Sequence, residues 1–350
     1  MDPEEITEHT EVVLVGAGPI GIEMAIALKE AGVDYRHFEA GQVGQTIGWY
    51  PRQARFFSSP ERIAIAGVPL ETPFQEKASR EEYLAYLRAV VRQFDLPIRT
   101  WERVTKVEGS SGSGFVVRTS RRSAVFAWRC RRIILAVGDM ASPRRLGIPG
   151  EDLPHVSHYF DDPHPYFRER LLIVGGKNSA VEAAIRCHRA GSKVTLSYRK
   201  SQFNPKSVKY WLLPEIESFV RQGHIAFHPE TVPVRITDTQ VTLEGVGRKQ
   251  AIEVEADFVL LLTGYEADTR LFQMAGVTLE GENKGPVHDP ETMETSVPGI
   301  YVAGTAAAGT QHQFRLFIEN AHIHVDRIVA AITGKPLKER TTKGFTLPES

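Results

Sequence analysis

Val12-Val13-Leu14-Val15-Gly16-Ala17-Gly18-Pro19-Ile20-Gly21 is the stretch on which the fold turns. Four apolar residues in a row read as a short parallel strand buried on both faces. The G-x-G-x-x-G that follows opens a segment of helical spacing, with Ile22, Ala25, Ile26 and Leu28 on one face and a glycine stop at Gly32. In this setting Gly16 makes the turn and Gly18 lets the backbone approach a pyrophosphate. Pro19 suits the first helical position, and Gly21 lets helix and strand pack closely. A second strand, Tyr35 to Phe38, delivers Glu39 and the adjoining Ala40 to its tip, 18 residues beyond Gly21. A carboxylate there accepts hydrogen bonds from ribose hydroxyls. A merely structural tight turn would leave Glu39 unexplained, so the first loop reads as a dinucleotide site.

The same pattern recurs 159 residues later, as Leu171-Leu172-Ile173-Val174-Gly175-Gly176-Lys177-Asn178-Ser179-Ala180. A helix carrying Val181, Ala184 and Ile185 follows and stops at Gly191, the counterpart of Gly32. Lys177 stands where the second glycine is expected, which costs closeness of approach and adds a positive charge beside a phosphate. Tyr198 takes the place of Glu39, and Arg199-Lys200 follow it. A carboxylate would repel a 2′-phosphate, whereas a guanidinium binds one through paired charge-assisted hydrogen bonds. A solvated basic strand end is the plain alternative, and Lys206 fits either. One site ending in an acid and one in Arg/Lys point to FAD in the first fold and NADPH in the second.

Further apolar runs end in glycine at Ile133–Val137 before Gly138, Phe258–Leu262 before Gly264, and Ile300–Val302 before Gly304. Gly264 is assigned to the NADPH side. Arg103 to Phe126 suggests a small β-meander whose hairpin tip is the Ser/Gly loop Gly109 to Gly114. Prolines at 143, 149, 154, 163 and 165 read as a linker. A strand and a closing helix after about Ser296 would return to complete the first domain. The expected layout is an FAD-binding domain over 1–155 and 285–350, with an NADPH-binding domain over 165–275 inserted.

The 350 residues are 42% hydrophobic and 24% charged, enough for two ordinary globular cores. Forty-two Lys+Arg against 43 Asp+Glu give a net charge of −1, which offers no electrostatic footprint for nucleic acid or an anionic membrane. No run of about 18 apolar residues appears, and Met1 to Glu11 is too polar for a secretory signal. Two cysteines, Cys130 and Cys187, exclude a disulfide scaffold and a four-cysteine zinc site. None of the 12 histidines shows ligand spacing, so no metal is expected. His322 and His324 fall on an expected helix. A cytoplasmic homo-oligomer is the expected form.

The chain resembles the two-dinucleotide flavoproteins that include thioredoxin reductase, and within them the YpdA-type family of bacillithiol disulfide reductases. The residues that carry the likeness are Gly175–Ala180 (GGKNSA), His158-Tyr159-Phe160, His164-Pro165-Tyr166-Phe167, Phe56-Phe57-Ser58 and Phe317-Ile318-Glu319-Asn320. The likeness spans about residues 10 to 335. It implies an α/β chain of two Rossmann-like domains, three-layered and thioredoxin-reductase-like. It also implies that Ala136-Val137-Gly138 closes over FAD and that Gly304-Thr305 holds its ribityl-phosphate chain, with Thr305 in place of the family's acid. Glu319, Asn320 and Ala321 match the helix start that faces the isoalloxazine, where a helix N-terminus stabilises negative charge on reduced flavin. Gln45, Thr46, Gly48 and Trp49 match the segment that wraps the flavin. In related enzymes the domains rotate to bring nicotinamide to flavin.

The departures concern the acceptor. No Cys-x-x-Cys is present, and Ile20 occupies the first-loop position where YpdA-type proteins carry a cysteine. Cys130 and Cys187 read as small buried hydrophobes. No residue is assigned a catalytic role. The expected function is FAD-dependent oxidation of NADPH with electrons passed to a low-molecular-weight disulfide such as bacillithiol disulfide. Two rivals remain: an NADPH–ferredoxin or flavodoxin reductase, which needs no thiol, and a nucleotide-bound redox sensor without turnover.

Overall fold

The computed structural model describes residues 7–247, 251–313 and 315–335. Most of the polar stretch at the start of the chain and the last residues of the expected first domain lie outside that range. The chain forms two compact units. One runs up to Gly48, over Gln53–Ser142 and from Tyr265 on; the other comprises Trp49–Arg52 and Pro143–Gly264.

The first unit is built on a parallel sheet in the order Ile300–Val302, Arg132–Leu135, Val12–Val15, Tyr35–Phe38, Ile98–Arg99. Val12–Val15 is central and buried throughout. Its two neighbours, Tyr35–Phe38 and Arg132–Leu135, both follow it in the chain but lie on opposite sides of it, so the loop after it sits where the strand order reverses, the usual ligand crevice of an open α/β sheet. The helix Pro19–Glu30 packs against the closing helix Ile318–Thr333. A four-stranded sheet of Thr7–His9, Ala124–Cys130, Gly114–Arg121 and Arg103–Ser110 forms the third layer. It meets the parallel sheet through Trp128, whose ring centre lies 5.1 Å from that of Phe38. The hairpin tip falls where the Ser/Gly loop predicts, with Ser110 paired to Gly114.

In the second unit the parallel sheet runs Val156–Ser157, Phe258–Leu261, Arg170–Val174, Lys193–Tyr198, Ala226–Pro229. Its central strand shows why the apolar run is continuous. Leu171 and Ile173 join the core under the helix Asn178–Arg189, packed with Val181, Ala184 and Ile185. Leu172 and Val174 point the other way, into a core with Ile236, Val241 and Leu243 from the antiparallel sheet Thr231–Ile236, Gln240–Gly245, Ala251–Glu255. Alternate side chains of one strand therefore serve two cores, and each fully buried Leu, Ile or Val stabilises by about 1.5–3 kcal/mol.

The units divide elsewhere than the prolines suggest. Pro143 onward belongs to the second unit, and residues from Tyr265 on belong to the first, ahead of the expected return at 285. The Pro-rich segment is anchored rather than free. Ile236 N–H donates to the Pro149 carbonyl (2.9 Å), and the buried Glu151 carboxylate accepts from Leu146 N–H and Gly147 N–H. Val156–Ser157 then supplies an edge strand. Prolines fix the backbone without preventing such pairing at a sheet edge.

Candidate functional site

At the end of the central strand of the first unit, backbone meets backbone. Gly16 has φ +103°, and a Cβ there would stand 2.3 Å from the Ala136 carbonyl oxygen. A Cβ on Gly21 would stand 2.0 Å from the Gly16 carbonyl oxygen. Both glycines are demanded by the fold. Gly18 is different: its φ is −73°, which any residue adopts, and a Cβ there would meet nothing within 4 Å. Neither strain nor packing asks for glycine at 18, so the open side of the loop is the cradle that a close-lying ligand needs. The helix behind it starts with Pro19 and has no side-chain cap, which leaves first-turn N–H groups and the positive end of the helix dipole for an anion.

Glu39 braces this loop. Its two oxygens accept from Ala17 N–H (2.8 Å) and Gly41 N–H (2.7 Å). Burial raises its pKa, against the pull of those donors. Each oxygen keeps a second lone pair for a ribose hydroxyl. Ala40 follows, exposed, in the turn. Gln45 and Thr46 lie in the short helix Gln45–Gly48, where Gln45 Oε1 accepts from Gln42 N–H at 3.0 Å. His37, two residues before Glu39, is a support the sequence reading missed. It is wholly buried and held to about pH 4 by that burial, so it is neutral, and its Nε2 lies 2.8 Å from the Gly16 carbonyl.

Ala136 follows the neighbouring strand, and its N–H donates to Val15 at 2.8 Å. Gly138 lies beside Thr305, whose Oγ1 would be 3.9 Å from a Cβ on it. Gly304 N–H donates to His324 Nδ1 at 3.2 Å. Burial holds His324 to about 4, and a neutral ring is what allows Nδ1 to accept. The closing helix begins as expected: Asn320 Oδ1 accepts from Phe317 N–H (2.8 Å), and Ala321 is buried. Glu319 Oε2 is buried without a hydrogen-bond partner among the described residues. Such an acceptor costs free energy until a donor arrives. The open face at Gly18, the free lone pairs of Glu39 and the orphaned oxygen of Glu319 are what an adenine dinucleotide carrying a hydrogen-bonding ring would satisfy. His322, one turn along the helix, has a separate role, pairing through Nδ1 with the buried Glu23 at 2.6 Å.

The second loop shares the backbone logic and differs at its ends. Gly175 has φ +143°, and a Cβ there would stand 2.5 Å from the Leu262 carbonyl oxygen. A Cβ on Gly176 would stand 2.4 Å from the Tyr198 ring, so the residue in the place of Glu39 fills space instead of offering a carboxylate. Lys177 forms the N-cap of Asn178–Arg189, and Asn178 Oδ1 accepts from Lys209 N–H. Ser179 is exposed in the first turn. Gly264 has φ +105° with open space beside it, and its carbonyl accepts from Arg144 N–H at 2.9 Å. Partial burial, then the charges of Arg199, Lys200 and Arg144, lower the Lys177 pKa. Four cations thus converge on one loop, and Arg144 is the one that no motif flagged.

Trp49 is not grouped with the other proposed FAD residues. It clusters with the second unit, edge-on to Tyr159 at 5.9 Å. Cys130 and Cys187 are both buried, and burial pushes both thiols up to about 12. Neither forms a thiolate at neutral pH. Ile20 is buried at the first loop. Among the described residues no group of three His, Cys, Asp or Glu could hold a metal ion.

A family profile described as pyridine nucleotide-disulphide oxidoreductase matches residues 13–304. Bacilliredoxin reductase Bdr of Bacillus subtilis is 37% identical over 92% of this chain and 97% of its own length. The solved bacillithiol disulfide reductase Bdr (YpdA) of Bacillus cereus is 35% identical, with a TM-score of 0.88 over 93% of this chain and 99% of that one. A ferredoxin–NADP reductase of Ignicoccus hospitalis is 27% identical over 84% of this chain and 89% of its own length.

Two expectations follow from the loop and the thiols. Gly18→Val will fold with a thermal midpoint close to that of wild-type apoprotein yet be purified without FAD, as read by HPLC of the released cofactor. Gly16→Val, which collides with Ala136, will fail to fold. Retention of full FAD by Gly18→Val rules out the open face as the pyrophosphate cradle. A Cys130→Ser, Cys187→Ser double variant will be bleached by NADPH at 450 nm within about twofold of the wild-type rate, because a buried neutral thiol has no part in hydride transfer. A folded double variant that no longer bleaches would restore a thiol mechanism.

Proposed function

The chain belongs to the pyridine nucleotide-disulphide oxidoreductases, as one of their YpdA-type members, and from that premise we propose that it reduces a low-molecular-weight disulfide, such as bacillithiol disulfide, with electrons from NADPH carried by FAD. The observation that carries this reading is the doubled nucleotide fold with opposite ends: an acid and an open glycine in one unit, four cations in the other. Bound flavin would supply two-electron carriage between nicotinamide and acceptor.

The protein's own residues bind and orient. Glu39, Gly16, Gly18 and Gly21 hold the adenosine half of FAD, with Ala136, Gly138, Gly304 and Thr305 along its chain and Glu319 to Ala321 at its ring. Gly175 to Ser179 receive the NADPH pyrophosphate. Arg199 and Lys200, with Arg144 and Lys177 behind them, receive the 2′-phosphate. Carbonyls and buried neutral histidines hold the loops so that little reorganisation accompanies binding. The opposite strand ends, Glu39 in the first unit and Arg199-Lys200 in the second, support assignment of FAD to the first unit and NADPH to the second.

A second reading is favoured by one observation: both thiols are buried, with pKa values of about 12. A ferredoxin or flavodoxin acceptor needs no protein thiol, and one relative bears the name ferredoxin–NADP reductase. A cytoplasmic location belongs to the same proposal, supported by two cysteines kept as free thiols and by the absence, among the described residues, of a helix long and apolar enough to cross a membrane. Homo-oligomerisation belongs to the same proposal.

Stopped-flow oxidation of the NADPH-reduced protein will decide the acceptor. Bacillithiol disulfide is expected to reoxidise the flavin faster than a ferredoxin or flavodoxin; the reverse order establishes the second reading. Arg199→Ala will raise the KM for NADPH about tenfold and leave that for NADH nearly unchanged, since a charge-assisted hydrogen bond is worth about 1.5–3 kcal/mol. Lys200→Ala will do so more weakly, and raised salt will mimic both. Equal losses for the two nucleotides would reduce Arg199 to a structural residue.

A further inference from the structure

At the far end of the first unit's parallel sheet lies a cleft of about 900 Å³, a volume that suits a small-molecule ligand. Its floor is set by the residues that lead into the strands. Glu11 precedes Val12–Val15, Asp34 precedes Tyr35–Phe38, Arg131 precedes Arg132–Leu135 and Gly299 precedes Ile300–Val302, and all four line the cleft. The first unit's glycine loops leave the opposite ends of the same strands, so a strand length of ~13 Å separates them from the cleft. The backbone of the floor is pinned. The Glu11 carbonyl accepts from Arg131 N–H and Arg132 N–H at 3.1 Å each, and the Gly299 carbonyl accepts from Ile133 N–H at 2.9 Å.

Charge is spread unevenly over this region. Lys or Arg occurs eight times between Arg103 and Arg132 and an acid once, at Glu108, although the chain as a whole carries −1. Glu108 is taken by Lys106 (2.7 Å) and Arg118 (3.2 Å). Three acids line the cleft, and each is engaged. Glu11 pairs with Arg132 at 2.6 Å, Asp34 pairs with Arg36 at 3.1 Å, and Glu294 accepts from Gly299 N–H at 2.7 Å. Arg129 and Arg131 are left over. They flank the buried Cys130, both are exposed and both line the cleft, and neither has an ion-pair partner among the described residues. A guanidinium grips a phosphate or carboxylate through paired charge-assisted hydrogen bonds. Two of them, two residues apart, suit a ligand with more than one anionic group.

We propose that this cleft is a further ligand site, separate from both nucleotide loops, for a small polyanion whose phosphate or carboxylate groups are held by Arg129 and Arg131. Ser111 and Ser113 of the hairpin tip bring hydroxyl groups to the same cleft. The site stands apart from the assignment of FAD, NADPH and the electron acceptor, because none of its residues belongs to those loops.

The test is isothermal titration calorimetry at low ionic strength on the full-length protein, saturated with FAD and NADP+ so that the nucleotide loops are filled. The probes are inorganic pyrophosphate and citrate, and the tighter of the two sorts phosphate from carboxylate ligands. One probe molecule is expected to bind per chain. Arg129→Ala and Arg131→Ala are each expected to weaken that binding about tenfold, with the thermal midpoint unchanged because both side chains are exposed. An Arg121→Ala, Arg122→Ala double variant removes two cations of the same sheet outside the cleft and is expected to bind within about twofold of wild type. No heat from either probe overturns the proposal. So do equal losses in the Arg121/Arg122 variant, which would make the attraction a general effect of charge. Binding that survives both cleft substitutions and is lost in Arg199→Ala also overturns it, since the anion would then sit at the second unit's loop.

Discussion

The space between Gly16, Gly21 and Ala136 leaves no room for a side chain, and the first unit is organised around that contact. Gly16 lies against the Ala136 carbonyl and Gly21 against the Gly16 carbonyl, at separations that a Cβ would reduce to 2.3 and 2.0 Å. Strand, helix and the neighbouring strand end are thereby drawn together at one point. The loop between them is left facing outward, with Gly18 open. His37 and Glu39 fix the loop from behind, one on the Gly16 carbonyl and the other on the Ala17 N–H. A ligand here meets a surface already in place, which lowers the ordering cost of binding.

The polar groups behind the loops are buried and held in particular protonation states. His37 and His324, with pKa values of about 4, stay neutral at ordinary pH. Charging either would place an unpaired cation in the core, and charging His324 would also remove the acceptor that holds Gly304. Asp139 and Glu39 are the counterpart, acids whose pKa values burial raises while hydrogen bonds oppose the rise. The second unit solves the same problem with a ring: Tyr198 packs over Gly176, and the charges are displaced to the exposed strand end and to Arg144.

That the protein's own thiols stand outside this arrangement bears on its chemistry. Cys187 is packed inside the second unit among Ala183, Ala184 and Val194, and Cys130 closes the last strand of the meander. Both behave as small apolar residues. In the proposed function the weight falls instead on how each loop presents its backbone, and on the carboxylate and guanidinium at the strand ends.

Two strand–glycine–helix units, their separation of 159 residues, the acid of one and the cations of the other could all be read from the chain. Each depends on local periods and on single positions that tolerate only one residue type, and those are written in consecutive residues. The Ser/Gly hairpin and the return of the last strand to the first sheet were legible for the same reason. The anchoring of the Pro-rich segment was not, because proline constrains φ whether a segment is free or paired. Nor were His37, His324, Arg144, Asp139 and Gln311. The last two touch across 172 residues, and a buried polar side chain carries no local signal of its partner. Whether a histidine is neutral or an acid is braced depends on what the fold packs around it, so only the tertiary structure could decide it.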